Sequence, residues 1–583
     1  MKWILLSLLL SSPLLSDIIP PERRINWSPG IPGDFPDKTF VVNVLDYSAT
    51  GDGQTDDSNA FINAIRAIPA SGGLLVVPGG TYVLKKTLSV NKGVLFKGEG
   101  HDKTRLLFDL SGRSDNCIDI VKYERGDWVD ALEGYEKGSN TVFVRQPEKF
   151  RAGDFIEIQQ ENDPDIMYTQ ADWQQSWSET AVGQICLIDS IRADGALVLH
   201  RPLYFTYRDV LQPRLRTLGL IEYPGLEDLT IERLDAGDGY TIQMRYVAYG
   251  RVQRIESNMT YRTHVYMSEC YGCEVRNNYI HHAHDYGGGG HGYGVDTIRH
   301  TSDCLIIDNV FRYLRHSMMT HVGTSGNVFA YNYSTEREPQ RLCDISLHGH
   351  FSNANLFESN VVEEIDISDY WGPIGPNNTF LRNVITQEGI DINDSSHGQN
   401  LVANVLNRGT IKVHSSVKET LRHGNVLNGT AEWDPAISDR EVPVSYFLTE
   451  KPDFLADSPW PLFGPDVTEG GKLPAQIRYE SGRPITAIHE QSLHRPIDYN
   501  LSIYPNPFNP QTTISFALAD DEQVRIDIFS ISGQWVATIV DQILPAGSHT
   551  VHYHPTGDCA SGIYVVRLRS ESSEMSHRMT ILK

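Results

Sequence analysis

The chain has 583 residues, 40% hydrophobic and 21% charged, so it can bury a sizeable core and is too long for one small domain. Asp and Glu number 74 against 50 Lys and Arg, a formal charge of −24, which argues against a nucleic-acid or anionic-membrane partner. The 48 glycines are spread along the chain, as many short strands joined by tight turns would require.

Residues 1–16 read as a signal peptide. Lys2 supplies a positive start, and Trp3 to Leu10 is an apolar run too short to span a bilayer. No later run reaches membrane length, so the mature protein is expected to be exported without a transmembrane segment. Seven cysteines do not make a disulfide framework in a chain this long. Cys270-x-x-Cys273 lacks a second half for a zinc site and reads as a local disulfide or buried thiols.

Residues 38–101 are expected to form an N-terminal cap and the first coils of a solenoid. Asp46 to Asp57 is an acidic turn leading into a short helix from Asn59 to Ile65. Gly72-Gly73-Leu74-Leu75-Val76-Val77-Pro78-Gly79-Gly80-Thr81-Tyr82 and Val94-Leu95-Phe96-Lys97-Gly98-Glu99-Gly100 follow. These segments resemble the opening of the pectate-lyase superfamily of right-handed parallel β-helices. The resemblance implies that fold; its chemistry stays open among lyases, hydrolases, epimerases and phage tailspikes. Residues 102–222 interrupt the pattern and read as an inserted β-subdomain, whose Tyr168, Trp173, Trp177, Tyr204 and Tyr207 suit either its own core or stacking on sugar rings.

Residues 223–439 carry a repeat. Asn327-Val-Phe-Ala-Tyr-Asn332, Asn355-Leu-Phe-Glu-Ser-Asn360 and Asn378-Thr-Phe-Leu-Arg-Asn383 share one frame, and Cys273 and Cys304 open two earlier copies. The closing Asn falls at 258, 278, 309, 332, 360, 383 and 404. One short strand per repeat of about 20–25 residues means a solenoid. Asn at a fixed corner tolerates a left-handed bend and can bond the Asn of the next coil.

Aligning the next strand of each coil places Asp344, Asp366 and Asp391 in one outward column about 4.8 Å apart. Carboxylates that close raise one another's pKa or share a cation, so Asp344, Asp366, Asp369 and Asp391 are candidate ligands for Ca²⁺. Nine histidines lie between residues 281 and 350. Arg315, His316, Arg341, Asp344, His348 and His350 are the candidate catalytic residues. His291, Tyr293, His321, Tyr370, Trp371 and Arg382 are the candidates for substrate binding. A lyase would draw its base and carboxylate clamp from the Arg and His residues, whereas a hydrolase would use two of the aspartates.

Residues 440–497 read as a wrap-around segment and linker. Residues 498–583 alternate as short strands of an immunoglobulin-like β-sandwich. Tyr504-Pro505-Asn506-Pro507-Phe508, Ser532-Gly533, Gly562-Ile563-Tyr564 and Lys583 resemble the type A sorting domain of the type IX secretion system, which implies that machinery as a partner and a secreted or surface-attached product. The expected function is cleavage of an acidic polysaccharide by β-elimination. Hydrolysis in the manner of polygalacturonases and non-catalytic glycan binding are the alternatives.

Overall fold

The structure is a computed structural model. It describes residues 18–582 except 339–342, 369–370, 469, 486–500, 505, 507, 510, 519–521, 532–533, 545–546, 556–558 and 571–573. The signal-peptide reading, Arg341, Asp369, Tyr370, Pro505, Pro507, Ser532, Gly533 and Lys583 lie outside the described residues.

The chain is all-β and winds into a parallel β-helix. A 12-stranded sheet takes one strand per coil, from Val41–Asn43 to Leu421–His423. Two further parallel faces merge into a second sheet where the strands Val361–Ile367 and Val384–Ile392 run through both. The interior is a stack of apolar rungs: Val265, Val295, Met318, Ile345, Ile365 and Ile390 lie in register on successive coils. Phe329, Phe357 and Phe380 stack nearly parallel, with centroids 5.0 and 4.8 Å apart. Because parallel strands are covered on both sides, they read as short apolar runs rather than clean alternation.

Two ladders of side-chain amides run along the corners. In one, Asn278, Asn309, Asn332, Asn360, Asn383, Asn404 and Asn425 follow one another, each backbone N–H and each Nδ2 donating to the next Oδ1. In the other, Cys273 and Cys304 occupy the same role before Asn327, Asn355 and Asn378. Asn258 is not a rung; it sits in register with His281 on a strand. The left-handed residue is also not the ladder Asn but the one before it: Asn277, Asp308, Tyr331, Ser359, Arg382 and Ala403 all have φ between 51° and 57°. That bend turns the following amide inward, where its hydrogen bonds replace lost water. Replacing Asn360 with Ala would strand the donors of Asn332 and the carbonyl of Phe329. Buried unpartnered groups cost about 1–3 kcal/mol each, so the expected loss from the three is about 3 kcal/mol or more, read by urea denaturation.

The helix Ser58–Ala67 covers the first coil with Phe61, Ala64 and Ile65. Its preceding Asp57 does not cap it; the carboxylate turns back to accept from the Thr50 and Gly51 amides. The insertion is shorter than residues 102–222. Thr104–Phe108 and Ile118–Val121 are coil strands, paired to Thr230–Arg233 and Ile242–Arg245. Only the strands from Val129–Glu133 to Arg214–Leu218 leave the coil, closing a six-stranded antiparallel barrel around Val142, Ile156, Ile158 and Leu197. Tyr207 and Trp173 are buried.

Arg382 was expected to meet substrate. Its side chain is instead wholly buried under residues 442–466, bonding the carbonyls of Val442, Pro443 and Phe463 and the Asp466 carboxylate. A left-handed corner aims it outward against that segment rather than into a groove. Nearby, Glu358 accepts from the Tyr446 amide, and burial pushes its carboxyl up to about 7. The folded state therefore holds this proton more tightly than the unfolded chain. Its contribution is full below about pH 4.5 and is lost as pH rises through about 7, on the order of 3 kcal/mol. Glu358→Gln is expected to be more stable than the parent at pH 8 and equal to it at pH 4.5, measured by thermal unfolding at both.

The C-terminal unit has its own core around Ile514, Ile526, Ile528, Val566 and Leu568. It is built from antiparallel sheets of three and four strands, the first beginning at Ser502–Tyr504. Among the described residues no helix is long and apolar enough to cross a membrane.

Candidate active site

One outward face of the second sheet carries two columns. Gln243, Tyr266, Asp296, Met319, Ser346, Asp366, Asp391 and Lys412 are in register on successive coils. Two positions later, His321 and His348 close adjacent strands, linked by the His348 amide donating to the Thr320 carbonyl. The column expected from the sequence contained Asp344, and the structure removes it. Ile345 pairs with Ile365, not Ile367, so Ser346 is level with Asp366. Val361–Ile367 runs on through two faces, so its rung comes at Ile365, two residues earlier than the apolar alignment placed it. Asp344 is buried, accepting from Ser334 Oγ at 2.5 Å and from the Glu363 and Glu364 amides. Burial raises its pKa, and its role is to close a bend.

The structure does bring several predicted residues together. His321 Nδ1 lies 2.8 Å from Asp296 Oδ1, and both groups are nearly buried. The rings of His321 and His348 are 4.3 Å apart. Burial, reinforced by the neighbouring His321 and His316, holds His348 well below the usual imidazole range, so it is neutral at pH 7. Trp371 stacks on His348. Trp177, from the inserted barrel, stands edge-on to His321, His348 and Trp371 and stacks on His350. Arg299 fixes that loop by donating to the Trp177 carbonyl.

The remaining candidates lie around this centre with other partners. His350 is buried, its Nε2 2.6 Å from the Trp173 carbonyl. His316 is pushed down to about 3 by burial and bonds the Cys343 carbonyl. Tyr293 is buried against His316, and its hydroxyl accepts from the Gly290 amide. His291 pairs with Asp285 and Arg315 donates to the Gly288 carbonyl, so the glycine-rich loop is held by local bonds. Asp296 was missed. Extending the strand frame one coil upstream, from His316–Thr320 to Tyr293–Ile298, would have put it level with Met319.

Among the described residues, which leave out Asp369, the expected column does not assemble a Ca²⁺ site. That ion takes six to eight oxygens. With Asp344 withdrawn, Asp391 pairs with His414 at 2.9 Å, and among the described residues no three His, Cys, Asp or Glu side chains converge as a metal site. Cys270 and Cys273 are buried free thiols.

Chemically, an imidazole whose Nδ1–H is held by a carboxylate presents Nε2 as a base. Asp366 and Asp391 are paired on adjacent rungs, and hydrolysis of a glycosidic bond needs two such carboxyl groups.

Comparison with known proteins places this architecture. Residues 41–287 match the family described as rhamnogalacturonase A/epimerase, pectate lyase-like. The cap and early coils of the solenoid are pectate lyase-like. Residues 502–582 match the secretion system C-terminal sorting domain. The pectate lyase-like match ends before Asp296, so it describes the cap and early coils and not the His321 centre. A probable rhamnogalacturonase E of Aspergillus niger is 36% identical over 90 residues, 14% of this chain and 20% of its own length. The pre-neck appendage protein of Bacillus phage B103 is 35% identical over 107 residues, 18% of this chain and 11% of its own. This chain thus spans a fifth or less of those two relatives. The tailspike of Pseudomonas phage phi297 aligns over 92% of this chain and 99% of its own, at 11% identity and a TM-score of 0.46.

Proposed function

We propose that the chain is an exported enzyme that cleaves an acidic polysaccharide by β-elimination at the His321 centre. The observation that carries this reading is the His321 imidazole, oriented by Asp296, set 4.3 Å from the tilted ring of neutral His348, with Trp177 edge-on to it and Trp371 stacked on His348. His321 Nε2 removes the proton beside the uronate carboxylate, the freed pair forms the C4–C5 double bond of the new non-reducing end, and the C4–O pair leaves on the departing sugar's oxygen, which takes a proton from water. Aromatic walls suit sugar rings, and the strand columns offer an extended chain repeated shelves. The family described as rhamnogalacturonase A/epimerase, pectate lyase-like, and the rhamnogalacturonases among the relatives support a polysaccharide substrate. The C-terminal domain directs the chain to the type IX secretion machinery, and so to the cell surface or the medium.

Hydrolysis is the second reading, favoured by the adjacent Asp366 and Asp391. Incubation with pectate, rhamnogalacturonan, alginate, ulvan and glycosaminoglycans separates the two. Ultraviolet absorbance of unsaturated products supports elimination. New reducing ends without it support hydrolysis, and binding without either product supports a glycan-binding solenoid.

A further inference from the structure

On the 12-stranded sheet, away from the His321 centre, a cavity of about 500 Å³ lies between the coil and residues 454–478. Gln253, Arg276 and Ile307 line it from three successive coils, in register. Leu455 and Ile477 line it from the other side, with Asp457. Gln253 is 5% exposed, yet its Oε1 has no hydrogen-bond partner among the described residues. A buried amide oxygen is ordinarily satisfied, because leaving it bare costs stability. Ile477 is 48% exposed at the opening, a large apolar side chain left at the rim. The segment is anchored there by Arg478, which pairs with Asp308 at 3.0 Å, so the cavity has a fixed floor.

We propose that this cavity is a second, non-catalytic carbohydrate site that takes one or two pyranose rings. Its volume falls in the range of small-ligand sites. Its lining is divided as a pyranose is divided. Ile307, Leu455 and Ile477 offer an apolar wall for the C–H face, and Gln253, Arg276 and Asp457 offer hydrogen-bonding groups for the hydroxyl rim. A sugar hydroxyl donates to Gln253 Oε1. The site does not depend on which reaction the His321 centre performs.

The test is calorimetric titration of the full chain with D-galacturonate, L-rhamnose, D-galactose and digalacturonate. At least one is expected to bind saturably. Gln253→Ala and Ile477→Trp are each expected to weaken it at least tenfold, and His321→Ala is expected to leave it unchanged. The surface change at Ile477 guards against misreading a folding defect in Gln253→Ala. Three results would overturn the site: no saturable binding by any of these sugars, binding unaltered in both variants, or a high-resolution soak with only water on Gln253 Oε1.

Discussion

Replacing His321 with Ala is expected to lower turnover by about 10²–10⁴-fold, the range over which a positioned acid or base contributes, with thermal unfolding little changed. Asp296 acts through His321 and is a positioning residue. Asp296→Asn keeps the shape but removes the charged acceptor from Nδ1, so the ring can present the wrong nitrogen to the substrate. The expected signature is a large fall in kcat with KM nearly constant, and partial recovery in Asp296→Glu. A structural role alone would lower stability or raise KM instead. Asp344→Asn serves as the contrast: its carboxylate holds two backbone amides, so its cost should appear in unfolding and not in kcat.

Arg382→Ala is expected to cost about 3 kcal/mol or more, because three backbone carbonyls lose their donor at about 1–3 kcal/mol each, while Asp466, 43% exposed, turns to water. The guanidinium bonds three carbonyls and Asp466 at once, and no water reaches it to compensate. Lys in its place keeps the charge but not the planar fork, and should recover only part of the loss. Urea denaturation measures both. Residues 463–466 should become sensitive to protease before the coil does, because the Phe463 carbonyl and the Asp466 carboxylate are held by this side chain.

The fold was legible because its determinants repeat. Asn332, Asn360 and Asn383 recur with the same apolar run before them, and that period alone requires a solenoid with an amide ladder. The site was legible in part. His321, His348 and Trp371 were singled out, but Asp344 was put in the wrong column, since aligning apolar positions set Ile345 level with Ile367 while Ile365 fits the same pattern two residues earlier. Ile345–Leu347 is a separate short strand, whereas Val361–Ile367 runs on from one face to the next. Trp177 was noted as an aromatic of the insertion. Its approach to His348 is a contact between residues far apart in sequence, and no local pattern encodes such a contact. Arg382 read as a groove cation because a left-handed corner and a strand point their side chains in different directions.

The inserted barrel also sets an order of assembly. Most rungs join residues close in sequence; the ladder from Asn278 to Asn425 links positions 21 to 31 apart. One junction differs. Lys97 meets Glu227 across 130 residues, and Arg105 meets Glu232 across 127. Closing a span of that length carries a larger entropic cost and slows folding, unless something shortens it first. The barrel does so, because its first strand, Val129–Glu133, pairs directly with its last, Arg214–Leu218. Once it has closed, the two halves of the solenoid are held a short distance apart, and the junction becomes an ordinary rung. The barrel is therefore a kinetic clasp: mutations that loosen its core should slow refolding of coils that it never touches.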